Sequence, residues 1–182
     1  MRYILASQSP RRRELLSLLV PDFEVCPADI DERLRDGAPL EDEIGRLAAA
    51  KARSVSQTHP DAVVIGADTM VTIDGAALGK PRDAEDAKRM LRLLSGRTHR
   101  VLTGAAVARD GAVSTVLNVT EVTFRTLRED EIARYAATGD PLDKAGAYGI
   151  QGRGAPLVRG IHGDFYSVMG LPVAQLYELL SL

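Results

Sequence analysis

The chain has 182 residues, 45% of them hydrophobic and 26% charged, and a formal net charge of −2. That length and apolar content suit one packed domain, residues 1–182, and exclude a disordered chain. The slightly acidic balance argues against polynucleotide binding through bulk electrostatics, and a single cysteine, Cys26, excludes an internal disulfide.

Tyr3-Ile4-Leu5-Ala6 reads as a short buried strand. Ser9 is a natural N-cap and Pro10 fits the first turn of a helix running to about Leu19, with Leu15, Leu16, Leu18 and Leu19 as its apolar stripe. A short apolar run ahead of three arginines reverses the order of a signal peptide, and no segment approaches a membrane span, so a cytoplasmic chain is expected. Arg11, Arg12 and Arg13 sit in the first helical turn, where they oppose the helix dipole. With the hydroxyls of Ser7 and Ser9 and the free amides of the turn, Arg11 and Arg12 form a phosphate site. A solvated charge run is the plainer reading, and it suffices for Arg13.

Phe23-Glu24-Val25-Cys26 looks like a second strand, with Cys26 a small strand hydrophobe. Asp29, Asp31 and Glu32 follow in a loop ending near Gly37-Ala38-Pro39; they suit either a shared hard cation or an exposed acidic loop. Residues 40 to about 57 give the clearest helix, with Leu40, Ile44, Leu47 and Val55 on one face. Lys51 lies on the same stripe. Its charge must either snorkel outward or meet an anion, phosphate or carboxylate.

Val63-Val64-Ile65-Gly66 reads as a strand buried on both faces, and Ala67-Asp68-Thr69 follows where open α/β sheets bind ligands. Asp68 there suits a cation or an attacking water, although strand-to-Asp transitions also serve as plain turns. Met70-Val71-Thr72-Ile73 continues extended into the hairpin turn Asp74-Gly75, and Gly79 and Pro81 bracket Lys80. A helix capped by Asp83 runs to about Leu94 and ends at Gly96. Two strands, roughly 100–108 and 113–125, join across Asp110-Gly111, and Thr126 with Glu129 reads as the capping box of a helix closed by Gly139.

The stretch 143–152, Asp143-Lys144-Ala145-Gly146-Ala147-Tyr148-Gly149-Ile150-Gln151-Gly152, is too glycine-rich for core or surface helix and lets backbone approach a ligand. Leu157-Val158 and Ile161 then read as a strand, and Pro172 opens a last helix carrying Val173, Leu176, Tyr177 and Leu180. His59, His99 and His162 have no metal-ligand spacing, which argues against zinc. Strand and helix alternate in the first half and hairpins dominate the second, so a mixed α/β sheet with packed helices is expected.

Ala6-Ser7-Gln8-Ser9-Pro10-Arg11-Arg12, Gly66-Ala67-Asp68-Thr69, Gly79-Lys80-Pro81, Ser95-Gly96-Arg97-Thr98-His99, the 143–152 stretch and Gly170-Leu171-Pro172, in this order, resemble the Maf family of nucleoside triphosphate pyrophosphatases, the septum-formation inhibitor-like proteins. The resemblance covers essentially the whole chain. It implies an inosine triphosphatase-like fold with a cleft between two lobes, a homodimer, and hydrolysis of a nucleotide to monophosphate and pyrophosphate with a divalent cation, Mg²⁺ or Mn²⁺. Arg11, Thr69 and Gln151 occupy places that resemble the dTTP/UTP branch, with CTP a poorer substrate and 7-methyl-GTP belonging to another branch. Asp68 is expected as base and cation ligand with Asp31 as a second ligand, although many members have Glu at that place. Ser7, Ser9, Arg11, Arg12, Lys51, Thr69, Lys80 and Gln151 are expected to bind substrate. The competing reading is a nucleotide-binding regulator of cell division with little turnover, which a pyrophosphate-release assay separates from an enzyme.

Overall fold

The computed structural model describes residues 1–181. Its elements in chain order are β1 (Arg2–Leu5), α1 (Pro10–Leu16), β2 (Glu24–Val25), α2 (Leu40–Ser56), β3 (Ala62–Ile73), β4 (Ala76–Leu78), α3 (Ala84–Leu94), β5 (Thr98–Arg109), β6 (Ala112–Phe124), α4 (Glu129–Ala137), β7 (Val158–His162), α5 (Phe165–Met169) and α6 (Val173–Leu180). The strand order is β2-β1-β3-β5-β6-β7, with β4 paired to β3. β1 runs parallel to β2 and β3, whereas β4 is antiparallel to β3 and β7 to β6. The expected mixed α/β architecture is therefore what the chain adopts.

The chain divides into two compact units, one made of Met1–Thr69, Thr103–Asn118 and the C-terminal segment from Gly170, the other of Met70–Leu102 and Val119–Met169. In the first unit Ile4, Ala6, Val64, Ala106 and Ala108 pack against Ala48, Ala52 and Val55 of α2. Gly66 explains how closely α2 lies on β3. A Cβ there would stand 2.7 Å from the Ala52 amide nitrogen and closer still to the Ala48 carbonyl oxygen, far inside ordinary contact. The second unit packs Val71, Ile73, Leu91, Leu94, Val122, Phe124, Ile132, Tyr135 and Tyr148 into its own core.

The hairpin turns fall where Asp-Gly pairs predict them, with positive φ at Asp74 and Gly75 and again at Asp110 and Gly111. Several elements depart from the sequence reading. β3 does not end at Gly66 but runs from Ala62 to Ile73, so Asp68 lies within the strand and not beyond its carboxyl end, because Val71, Thr72 and Ile73 pair on with β4. α1 stops at Leu16 and not near Leu19; only Leu15 and Leu16 are buried, Leu18 is 61% exposed, and Pro21 disfavours helix at the residue before it. β2 shrinks to two exposed residues, so Cys26 lies just beyond it, packed at the edge of the first core. The helix expected to be capped by Thr126 starts at Glu129, with Glu131 accepting from the Arg128 amide at 3.0 Å. The chain before it is still occupied, since the Leu127 amide donates to Ser95 Oγ at 2.8 Å.

Candidate active site

Close packing at Gly66 seats α2 against β3 in the first unit, and Lys51, on the helical turn between Ala48 and Ala52, reaches Asp68 near the middle of β3. Its ammonium lies 2.6 Å from Asp68 Oδ1 and 2.7 Å from Glu32 Oε1. Lys51 is only 6% exposed, so the two carboxylates provide the anions that an inward lysine requires. Of the two readings open for Lys51, snorkelling is excluded. The acidic loop is divided in its work: Glu32 reaches Lys51, while Asp31 is tied to its neighbour Arg33 through bonds of 2.7–3.0 Å. That charge-assisted fork lowers the Asp31 pKa.

Glu43, a residue the sequence reading passed over, holds this loop. Its side chain is fully buried and accepts from Arg46 Nη2 at 2.7 Å, from Arg35 Nε at 2.6 Å and from the Arg35 amide at 2.9 Å. Arg46 also donates to the Arg33 carbonyl at 3.0 Å, so α2 grips both sides of the loop that presents Glu32. Hydrogen bonds, those from Arg46 foremost, bring the Glu43 carboxyl down to about 2. Its position among Glu41, Asp42 and Glu43 at a helix start made it look like ordinary first-turn acid.

A second constellation gathers on Arg12. Ser9 caps α1 by accepting from the Arg12 amide at 3.4 Å, which aims the arginine inward. The guanidinium then donates to the Gly170 carbonyl at 2.9 Å, Thr69 Oγ1 at 3.2 Å and Ser7 Oγ at 3.3 Å. Thr103 also donates to Thr69 Oγ1 at 3.2 Å, leaving the Thr69 O–H as its remaining donor. Burial lowers the Arg12 pKa most; the Asp68 charge opposes this and Arg11 adds to it. Ser7, Ser9, Arg12, Thr69, Thr103 and Gly170 thus form one network; Gly170 stood in a sequence motif without an assigned role, and Thr103 had not been anticipated. A polar residue inside the otherwise apolar run 101–108 of β5 was the available signal for Thr103.

Arg11 is half-buried beside this network. Lys80 and Gln151 are exposed and belong to the second unit, where the Gly79 carbonyl accepts from the Gly146 amide at 3.1 Å. Among the described residues no three His, Cys, Asp or Glu side chains are grouped to hold a metal ion. The two oxygen donors that do converge are those of Asp68 and Glu32.

Residues 2–182 match the model of the Maf-like protein family. The chain belongs to this family. One relative, a dTTP/UTP pyrophosphatase of Bacillus velezensis, is 53% identical over 99% of this chain and 95% of its own length. Another bearing the same name, from Moorella thermoacetica, is 52% identical over 100% of this chain and 94% of its own. A HAM1 protein from Coxiella burnetii shares the fold, with a TM-score of 0.57 across 100% of this chain and 98% of that one at 18% identity. The Maf-like chain therefore places its Ser-x-Ser-Pro-Arg-Arg turn and the acid of β3 on a HAM1-type scaffold. No helix among its described residues is long and apolar enough to cross a membrane.

Proposed function

We propose that this chain is a nucleoside triphosphate pyrophosphatase that hydrolyses dTTP and UTP, and CTP less well, to the monophosphate and pyrophosphate. The observation that carries this reading is Lys51 held between Asp68 of β3 and Glu32, in a chain 53% identical to a relative named for that activity. A water oxygen attacks the α-phosphorus opposite the pyrophosphate. The new P–O bond forms as the bond to the α–β bridging oxygen breaks, and pyrophosphate leaves with that electron pair. Asp68 accepts the water proton. Lys51 occupies Asp68 Oδ1 and fixes the carboxylate, leaving Oδ2 for that proton.

A triphosphate brings up to about four negative charges, and Arg11 and Arg12 of the first unit answer them together with the Ser7 and Ser9 hydroxyls. Asp68 and Glu32 would hold a hard divalent cation through their carboxylate oxygens. Once bound, Mg²⁺ or Mn²⁺ would neutralise phosphate charge and orient the reacting oxygens. Asp31, spent on Arg33, gives way to Glu32 in this role. A side-chain amide such as that of Gln151 complements a pyrimidine edge, and a base that leaves it unpaired is disfavoured by a few kcal/mol.

The test is pyrophosphate release with Mg²⁺ from dTTP, UTP, CTP, dGTP, ATP and 7-methyl-GTP, reading kcat/KM for each. The expected result puts dTTP and UTP first. A lead for 7-methyl-GTP overturns the branch assignment, and release from none of them overturns the activity.

A further inference from the structure

Ser95-Gly96-Arg97-Thr98-His99 has no part in the chemistry above, yet its last residue is an unusual one. His99 opens β5 in the second unit, is 2% exposed, and packs edge-on against Phe124 and Tyr148 with ring centroids 5.0 and 5.3 Å away. Its Nε2 lies 2.8 Å from the Tyr148 hydroxyl, while its Nδ1 is buried without a hydrogen-bond partner. A residue wanted only for volume would be apolar here, because an orphaned buried nitrogen costs stability. With Tyr148 donating to Nε2, a single N–H is orphaned; the other tautomer orphans both the tyrosine proton and the Nδ1 lone pair.

Tyr148 lies at the centre of the glycine-rich loop, and the loop's other anchors converge on the same few residues. The Gly149 amide donates to the Tyr135 hydroxyl at 3.1 Å, and Tyr135 donates to Asp140 Oδ2 at 3.0 Å. Lys144 ties Asp140 and Asp143 together. Gly146 presses on Val71, where a Cβ would come within 2.8 Å of a side-chain methyl, and Gly154 is packed against the Gly149 carbonyl. Beyond Gln151 the turn Gly152–Leu157 is held by Arg125, which donates to the Pro156 carbonyl at 2.5 Å. Gln151 is thus an exposed residue on a loop fixed on both sides.

We propose that His99 is a positioning residue for nucleotide selectivity: through the Tyr148 hydroxyl it fixes the 143–152 loop and so the place of Gln151. This rests on the pyrimidine-selective reading above. A neutral imidazole suits the role, because it accepts from a phenol without bringing a charge into the core. The bond joins the second unit's core to the loop three residues before Gln151, next to the bond from the Gly149 amide to Tyr135, and removing it opens no cavity.

Tyr148→Phe removes only the hydroxyl, and His99→Gln keeps an amide near the Nε2 position while His99→Leu keeps none. Each folded variant is assayed with dTTP and dGTP, and amide hydrogen exchange is followed along the chain. The expected result for Tyr148→Phe and His99→Leu is a roughly tenfold fall in the dTTP-to-dGTP ratio of kcat/KM, carried mostly by KM. Faster exchange should be confined to residues 143–152, and His99→Gln should recover part of both effects. An unchanged ratio with a lowered Tm, or exchange accelerated throughout the second unit, would reduce His99 to a core residue and overturn the proposal. Should Tyr148→Phe fail to fold, His99→Gln and His99→Leu give the same comparison. If the unaltered protein hydrolyses neither nucleotide, the enzymatic reading and the claim on selectivity fall together, and the exchange pattern still decides whether His99 holds the loop.

Discussion

Lys51 and Asp68 lie on different elements 17 positions apart, and their charged atoms meet at 2.6 Å. The contact links a helix to the middle of a strand, with Glu32 closing on the same ammonium from a loop. Lys51→Met keeps the stem and removes the charge, so Asp68 and Glu32 face each other unneutralised. The variant should lose about 1–2 kcal/mol, an amount discounted for the exposure of Glu32. It should also lose most of its turnover. Denaturant unfolding and pyrophosphate release measure the two effects, and adding Asp68→Asn should restore stability without restoring activity.

Asp68→Asn alone preserves shape and the Lys51 contact but removes the proton acceptor. A kcat loss on the order of a hundredfold or more is expected, with an unaltered circular dichroism spectrum. Near-normal turnover in the folded variant would remove Asp68 from the role of base.

Glu43 makes the protein sensitive to acid through the loop it holds. Its carboxyl titrates near 2 in the folded chain against an ordinary 4.5. Between those values the unfolded chain binds more protons, so stability falls as pH falls through this window and the contribution is intact above it. Glu43→Gln should lower the denaturation midpoint at pH 6, and the gap from the unaltered protein should narrow towards pH 3. It should also weaken catalysis, because Glu32 loses the loop that presents it. Urea midpoints across that range, with activity at neutral pH, check both.

Gly66→Ala tests the helix–strand approach. The added methyl meets the backbone of Ala48 and Ala52, which a side-chain rotation cannot relieve. A destabilisation of about 1–3 kcal/mol is expected. Turnover should drop as well, since α2 moves outward with Lys51. A Tm shift with unchanged kcat would separate the packing from the site.

Local chemistry made much of this protein legible in the sequence. Asp-Gly pairs placed two hairpin turns because their positive φ is a property of those residues, and Ser9-Pro10 placed the start of α1 because cap and ring constrain only their own neighbourhood. Lys51 showed itself by falling on an apolar stripe, which demands an anion somewhere. What the sequence could not decide was which anion, because the choice between Asp31 and Glu32 depends on Arg33, Arg35, Arg46 and Glu43 folding the loop back onto α2. Gly66 read as the last residue of a buried strand, yet its use is the close seating of a helix. His99 had no ligand spacing and carried no signal beyond its motif; only packing against Phe124 and the hydroxyl of Tyr148 gave it a partner. Turn and cap signals act within a few residues of chain. The partners of a buried charge or ring nitrogen are set by segments tens of residues away, and only the tertiary structure brings those together.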